Sequence, residues 1–251
     1  MDIQSSKKKN VIITGCNKGI GKATLEDFAK NGSNIFACVR SNTKFFKNFV
    51  NQLKKKYKIK IYIIQLDLSS KSSILNCVNE IFKINRNIDI IVNNAGMLFN
   101  SLFLMTSEKK LNEIFQVNYF SQIYLTQLIS KGMIKNKSGN IIFVSSTSGV
   151  NGDYGRFAYS ATKAAIINTV KTLSKELSSY NIRVNSISPG LTDTDLMKEN
   201  TKENIIQEEI NKISLKRIAS VKEIAKTILF LASKDSSYIN GQNIIVDGGY
   251  L

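Results

Sequence analysis

Apolar residues in this chain of 251 come in short runs closed by turn formers: NVIITG, SNIFACV, KIYIIQL, IDIIVNNAG, GNIIFVSS, IRVNSIS and QNIIVDGG. Such runs, rich in isoleucine and valine and without strict polar alternation, predict strands buried on both faces, as in a parallel sheet. Between them, helical spacing of apolar residues covers 20–30, 43–56, 72–84, 108–135, 159–179 and 221–231. Strand and helix alternate throughout, and no internal repeat or low-complexity linker interrupts them. The expectation is a single α/β domain over 1–251, a doubly wound parallel sheet with helices on both faces. Residues 1–9 are expected to be a flexible tail. The polar helical stretch LMKENTKENIIQEEINKIS, with few core anchors, makes 193–214 the expected lid over a substrate.

Composition narrows the chemistry. No run of eighteen apolar residues occurs, so no membrane span and no membrane partner is expected. Cys16, Cys38 and Cys77 are odd in number and lack C-x-x-C spacing, which predicts reduced, buried thiols in a cytoplasmic protein. There is no histidine, so no common zinc set and no Ser-His-Asp or Cys-His mechanism can be built, and no metal site is expected. Acid–base work falls to Tyr, Lys, Asp or Glu. The formal charge of +16 accompanies one proline, no tryptophan and an abundance of lysine, asparagine and isoleucine, as AT-rich coding would produce. The lysines are spread along the chain without interleaved aromatics, so a nucleic-acid partner is not expected.

The first strand runs into Thr14-Gly15-Cys16-Asn17-Lys18-Gly19-Ile20-Gly21 and then directly into a helix. Gly15 lets the chain turn, Gly19 allows backbone to approach a pyrophosphate, and Gly21 lets helix and strand pack closely. The helix start offers free N–H groups and a positive dipole end to phosphates. The spacing is G-x-x-x-G-x-G, a variant of the common Rossmann dinucleotide fingerprint.

This opening, with Asn93-Asn94-Ala95-Gly96, Tyr159-Ser160-Ala161-Thr162-Lys163 and Pro189-Gly190, resembles the short-chain dehydrogenase/reductase family over essentially the whole chain. The segment from Pro189 to Asp195 and the closing Asp247-Gly248-Gly249 resemble most its 3-oxoacyl-(acyl carrier protein) reductase type. The resemblance implies a catalytic set of Asn118, Ser146, Tyr159 and Lys163. Tyr159 and Lys163 stand four apart and share a helix face, so the ammonium is expected to lower the phenol pKa and ready it as general acid. Ser146, thirteen residues before Tyr159, would hold the substrate oxygen. Asn118 would hold a water leading to the lysine.

The same resemblance implies a cofactor site of Gly15, Asn17, Lys18, Gly19, Ile20, Gly21, Arg40, Asp67, Leu68, Asn94, Ala95, Gly96, Tyr159, Lys163, Pro189, Gly190, Thr192 and Thr194. Asp67 would contact the adenine amino group, 93–96 would floor the ribose, and Thr194 would steady the nicotinamide carboxamide. After the second strand, Ala37-Cys38-Val39-Arg40-Ser41 has no acid to bind a free ribose hydroxyl, and Arg40 can pair a 2′-phosphate. With Lys18, this favours NADPH (NADP+) over NADH.

Substrate identity is less legible. By alignment through Ser146 and Tyr159, the two basic positions that face an acyl carrier protein in such reductases fall on Lys137 and Tyr180, so one of the pair is absent. A sugar, polyol or small ketone stays open as substrate, and a cofactor-binding regulator is the alternative from another class. The resemblance also implies a homo-oligomer, a tetramer, packed through the helices over 108–135 and 159–179. Phe115, Tyr119, Ile123, Ile166, Val170 and Leu173 supply apolar surface for that contact.

Overall fold

The computed structural model describes residues 8–201 and 203–251. Seven strands form one parallel sheet: β1 (Asn10–Thr14), β2 (Asn34–Val39), β3 (Ile61–Gln65), β4 (Ile90–Asn93), β5 (Gly139–Val144), β6 (Ile182–Pro189) and β7 (Asn243–Val246). Their spatial order is β3-β2-β1-β4-β5-β6-β7. The helices are α1 (Gly19–Lys30), α2 (Lys44–Tyr57), α3 (Lys71–Ile84), α4 (Glu108–Phe115), α5 (Ser121–Asn136), α6 (Ser148–Asn151), α7 (Phe157–Leu177), α8 (Asp195–Asn200), α9 (Glu203–Lys212) and α10 (Val221–Ala232). The architecture is the doubly wound α/β fold the pattern predicts.

Strand periodicity divides the core. Val11, Ile13, Ile35, Ala37 and Val92 point to one face and meet Leu25, Phe28, Val50 and Ile228 of α1, α2 and α10. The intervening Ile12, Phe36, Ile91 and Phe143 point to the other face and meet Ile74, Ile81, Leu125, Ile129, Ile166 and Val170 of α3, α5 and α7. Both faces are apolar because both are covered. Truncating a fully buried side chain such as Phe143 to alanine would cost about 3–5 kcal/mol.

Three expectations need correction. Residues 1–7 of the expected tail lie outside the described residues, but Lys9 is anchored: its Nζ lies 3.0 Å from Asp89 Oδ1. The helix expected over 108–135 is interrupted by a π-helical turn, Gln116–Phe120, whose longer hydrogen-bond span lets an extra residue into the turn. Ile166 and Val170, expected to face a second copy, are buried in the chain's own core, on the stripe of α7 that faces the sheet. Phe115, Tyr119, Ile123 and Leu173 are only partly covered.

Chain order reverses direction between β1 and β4, which pair in parallel. Crossovers lead away from this point on both sides and leave a crevice at the carboxyl ends of the two strands, where α/β sheets bind their ligands.

Candidate active site

The glycine loop fills one wall of this crevice. Gly15 has φ +65° and Gly19 φ +55°, left-handed values that side chains disfavour. A Cβ on Gly15 would meet Ala95 Cα at 2.8 Å, and one on Gly21 would meet Gly15 O at 2.3 Å. Helix α1 begins at Gly19 behind Lys18 with no side-chain cap and no acid in its first turn. Its first N–H groups therefore face the crevice without a protein acceptor, beside a backbone that only glycine permits. That arrangement fits a dinucleotide pyrophosphate.

Residues after β4 hold this loop in place. Asn94 Nδ2 donates to Thr14 O at 2.9 Å and to Gly15 O at 3.1 Å, and the Asn94 and Ala95 N–H groups both reach Thr14 Oγ1. Asn94 and Ala95 are thus partners of the loop, a bracing role that the sequence alone did not disclose. Asn17 is exposed and Ile20 packs against the core.

Other expected cofactor residues are distributed around the same rim. Arg40 is exposed just beyond β2 and lines a hollow with Ser41, Asn42, Gln65 and Glu80. Glu80, an acid contributed by α3, was missed because it is distant in sequence from the turn. Asp67 Oδ1 accepts from the backbone and the hydroxyl of Ser69, and these bonds hold its carboxyl below the ordinary value. Leu68 is buried, and its carbonyl accepts from Ser121. Pro189 ends β6, and a Cβ on Gly190 would meet Asp247 Cβ at 2.8 Å, which explains why the Asp-Gly-Gly end of the chain matters here. Thr192 Oγ1 donates to Gly190 O, and Thr194 Oγ1 caps α8 by accepting from Met197 N–H. Lys18 is drawn to α8, with its Nζ 3.2 Å from Glu199 Oε1.

The opposite wall carries the acid–base groups. Ser146 follows β5, and Tyr159 and Lys163 lie on the first turns of α7. Lys163 Nζ donates to Val144 O at 2.9 Å and stands 5.6 Å from the centre of the Tyr159 ring. Burial pushes Lys163 down to about 8. Tyr159 departs from expectation: burial pushes its phenol up, with a hydrogen bond shared with Ser146 and the charge of Arg156 pulling the other way. Its raised value reflects desolvation beside a lysine that stacks over the ring face.

Asn118 sits in the π turn and is fully buried. Its Oδ1 accepts from Met97 N–H, and its Nδ2 donates to Met97 O and Thr162 Oγ1. A Cβ on Gly96 would lie 3.2 Å from Asn118 Oδ1 and 3.7 Å from Lys163 Nζ, so the missing side chain keeps these two groups within reach of one space. The structure thus brings all four expected acid–base residues to one side of the crevice. It adds Asp153, Arg156 and Ser148, which form a polar cluster behind Ser146.

A glycine loop at the switch point of a parallel sheet, facing a Tyr–Lys pair, defines a dinucleotide-dependent oxidoreductase. Comparison with known proteins gives the particular group. A family model described as enoyl-(acyl carrier protein) reductase matches residues 15–251, and the chain belongs to the short-chain dehydrogenase/reductase family. The 3-oxoacyl-[acyl-carrier-protein] reductase of Aquifex aeolicus (strain VF5) is 37% identical over 238 residues, covering 95% of each chain. A Beutenbergia cavernae protein whose structure holds NADP at low occupancy superposes with a TM-score of 0.92 at 25% identity, covering 100% of this chain and 99% of that one. The acetoin dehydrogenase YohF of Salmonella typhimurium gives 0.87 at 28% identity and 97% of both chains. The enzyme uses a cofactor of the NAD(P) type. No described helix is long and apolar enough to cross a membrane.

Proposed function

We propose that the protein reduces the keto group of a 3-oxoacyl chain carried on acyl carrier protein, using NADPH. The carrying observation is the convergence of two hydroxyls, Ser146 and Tyr159, on one side of the crevice beside the buried Lys163. Two neighbouring hydroxyls suit an oxygen that gains negative charge, as a carbonyl oxygen does during reduction. This favours C=O over C=C chemistry. The Aquifex aeolicus relative, 37% identical over nearly its full length, is named for that carbonyl reduction.

A reduced nicotinamide bound at the switch point would supply a hydride to the carbonyl carbon. Gly15, Gly19 and Gly21 with the N–H groups of α1 would hold its pyrophosphate, Arg40 the 2′-phosphate, and residues 94–96, 189–190, 192 and 194 the nicotinamide half. Ser146 donates a hydrogen bond to the carbonyl oxygen, and Tyr159 gives that oxygen its phenolic proton. The raised phenol keeps Tyr159 protonated, hence competent as an acid, before transfer. The Lys163 ammonium and the Ser146 hydroxyl then face the phenolate that remains, and Asn118 supports reprotonation through water at Lys163. Helices α8 and α9 are the lid, Lys137 receives the acidic carrier, and the active form is a homotetramer in the cytoplasm.

Tyr180, which stands where a second cation would assist carrier docking, favours a small-molecule ketone as the second reading, and the likeness to an acetoin dehydrogenase supports it. NADPH oxidation across a panel of 3-oxoacyl thioesters, sugars and simple ketones separates the two. We expect turnover of the thioesters and loss of at least about 100-fold in Tyr159→Phe with cofactor affinity retained. Selective turnover of a sugar or simple ketone would transfer the reading to that substrate, and an active Tyr159→Phe would remove the acid.

A further inference from the structure

A chain of polar contacts runs from Ser146 away from the crevice. Ser146 Oγ donates to Ser148 Oγ at 3.2 Å, and Ser148 N–H donates back to Ser146 Oγ at 3.2 Å. The Ser148 hydroxyl, 2% exposed, donates to Asp153 Oδ2. That carboxylate is held from its far side by Arg156, whose Nη1 lies 3.1 Å from the same oxygen. Arg156 Nε in turn donates to Asn100 Oδ1 at 3.2 Å, and Asn100 Nδ2 to Asn200 O at 2.7 Å. Ser101 N–H also reaches Gly155 O, fixing the two loops side by side.

Hydroxyl valence gives this chain a direction. A serine hydroxyl has one proton and two lone pairs. Ser148 commits its proton to a carboxylate, the strongest acceptor within its reach, so toward Ser146 its oxygen can only accept. Ser146 therefore takes one lone-pair bond from Ser148 N–H and keeps the second for the Tyr159 phenol. Its own proton rests on Ser148 until a better acceptor arrives. Were Ser148 free to turn, its hydroxyl would fill that second lone pair and displace Tyr159.

We propose that Asp153, acting through Ser148, is a positioning residue for the catalytic serine: it pins the Ser148 proton, reserving one Ser146 lone pair for Tyr159 and the Ser146 proton for the substrate oxygen. Arg156 keeps the carboxylate in place and joins it to the loop that meets the end of α8. The inference rests on the acid–base roles proposed for Ser146 and Tyr159.

The test is a second-site rescue in the full-length protein, read as kcat and KM with the best substrate of the panel. Asp153→Ala is expected to lower kcat about tenfold, with cofactor affinity and substrate KM within about twofold of the parent. Asp153→Asn, which keeps an acceptor oxygen, should lose less. Ser148→Ala removes the hydroxyl that could turn, so the double variant Asp153→Ala/Ser148→Ala should match Ser148→Ala alone and exceed Asp153→Ala. A merely structural aspartate would leave the double variant at least as impaired as Asp153→Ala, and that result overturns the proposal. So does an Asp153→Ala enzyme with parental kcat. If Asp153→Ala fails to fold, the same comparison is made with Asp153→Asn, where rescue by Ser148→Ala is again required. Ser146→Ala and Tyr159→Phe run alongside: activity retained in these defeats the acid–base reading itself, whereas their inactivity with no rescue defeats only the role of Asp153.

Discussion

The two walls of the crevice are built by different means. On the cofactor wall, main-chain geometry dominates: Gly15 and Gly21 leave no room for a Cβ, and Asn94 bonds directly to the carbonyls of Thr14 and Gly15. On the opposite wall, side chains meet side chains: Ser146 with Ser148, Ser148 with Asp153, and Asp153 with Arg156. Exposed apolar groups such as Leu104 and Tyr154 lie in the loops around it. Main-chain geometry admits few residues, whereas an exposed ion pair contributes about 0–1 kcal/mol and has many substitutes. The first wall therefore tolerates few substitutions, whereas exposed ion pairs such as Lys198 with Asp193 can change at little cost to the fold.

Lys163 is the buried cation of the second wall, and replacing it should give the largest effect. An ordinary lysine value of 10.5 against about 8 in the fold corresponds to a burial cost of roughly 3 kcal/mol. Because the unfolded chain holds that proton more tightly, the cost is complete below about pH 8 and fades as pH rises toward 10.5. Lys163→Met should thus lower kcat by about 100-fold or more while raising the melting temperature at neutral pH. Its stability advantage should shrink on going to pH 10. Calorimetry across pH showing no advantage at pH 7 would mean that the hydrogen bond to Val144 O offsets the burial.

Next comes a charge reversal confined to the cofactor wall. Arg40→Asp should weaken NADPH at least about tenfold more than NADH, since a phosphate partner becomes a repelling charge. Equal losses in titrations with the two cofactors would show that Arg40 does not read the phosphate. The smallest effect lies outside both walls, at Lys137, which ends α5 just before β5 and so sits at the amino end of the strands. Lys137→Glu should lower kcat/KM by about two- to fivefold for a carrier-bound substrate and leave a small thioester analogue unchanged, with the difference vanishing as salt rises. Equal changes for both substrates would show that Lys137 does not meet the carrier.

The same division explains what the sequence reveals. The seven apolar runs become the seven strands, because strands covered on both faces must be apolar throughout. The glycine loop and the Tyr159–Lys163 pair are legible because each depends on local spacing. The cluster of Ser148, Asp153, Arg156, Asn100 and Asn200 is not, since only the tertiary fold joins positions 100 and 200. Lys18 illustrates the limit from the other side: its place in the glycine loop was legible, its pairing with Glu199 was not. Likewise Ile166 and Val170 are visibly apolar, but which of two apolar surfaces they meet depends on how α7 is rotated against the sheet.

The π turn at Gln116–Phe120 makes this stretch sensitive to chain length in a way that its side chains do not show. One residue fewer would let the segment settle into an ordinary α-helix, and α4 would rotate by about 100° relative to α5. Asn118 would then leave Met97 and Thr162, even if every remaining residue kept its identity. A single in-frame deletion in these codons would thus displace Asn118 from its partners without changing any residue that remains.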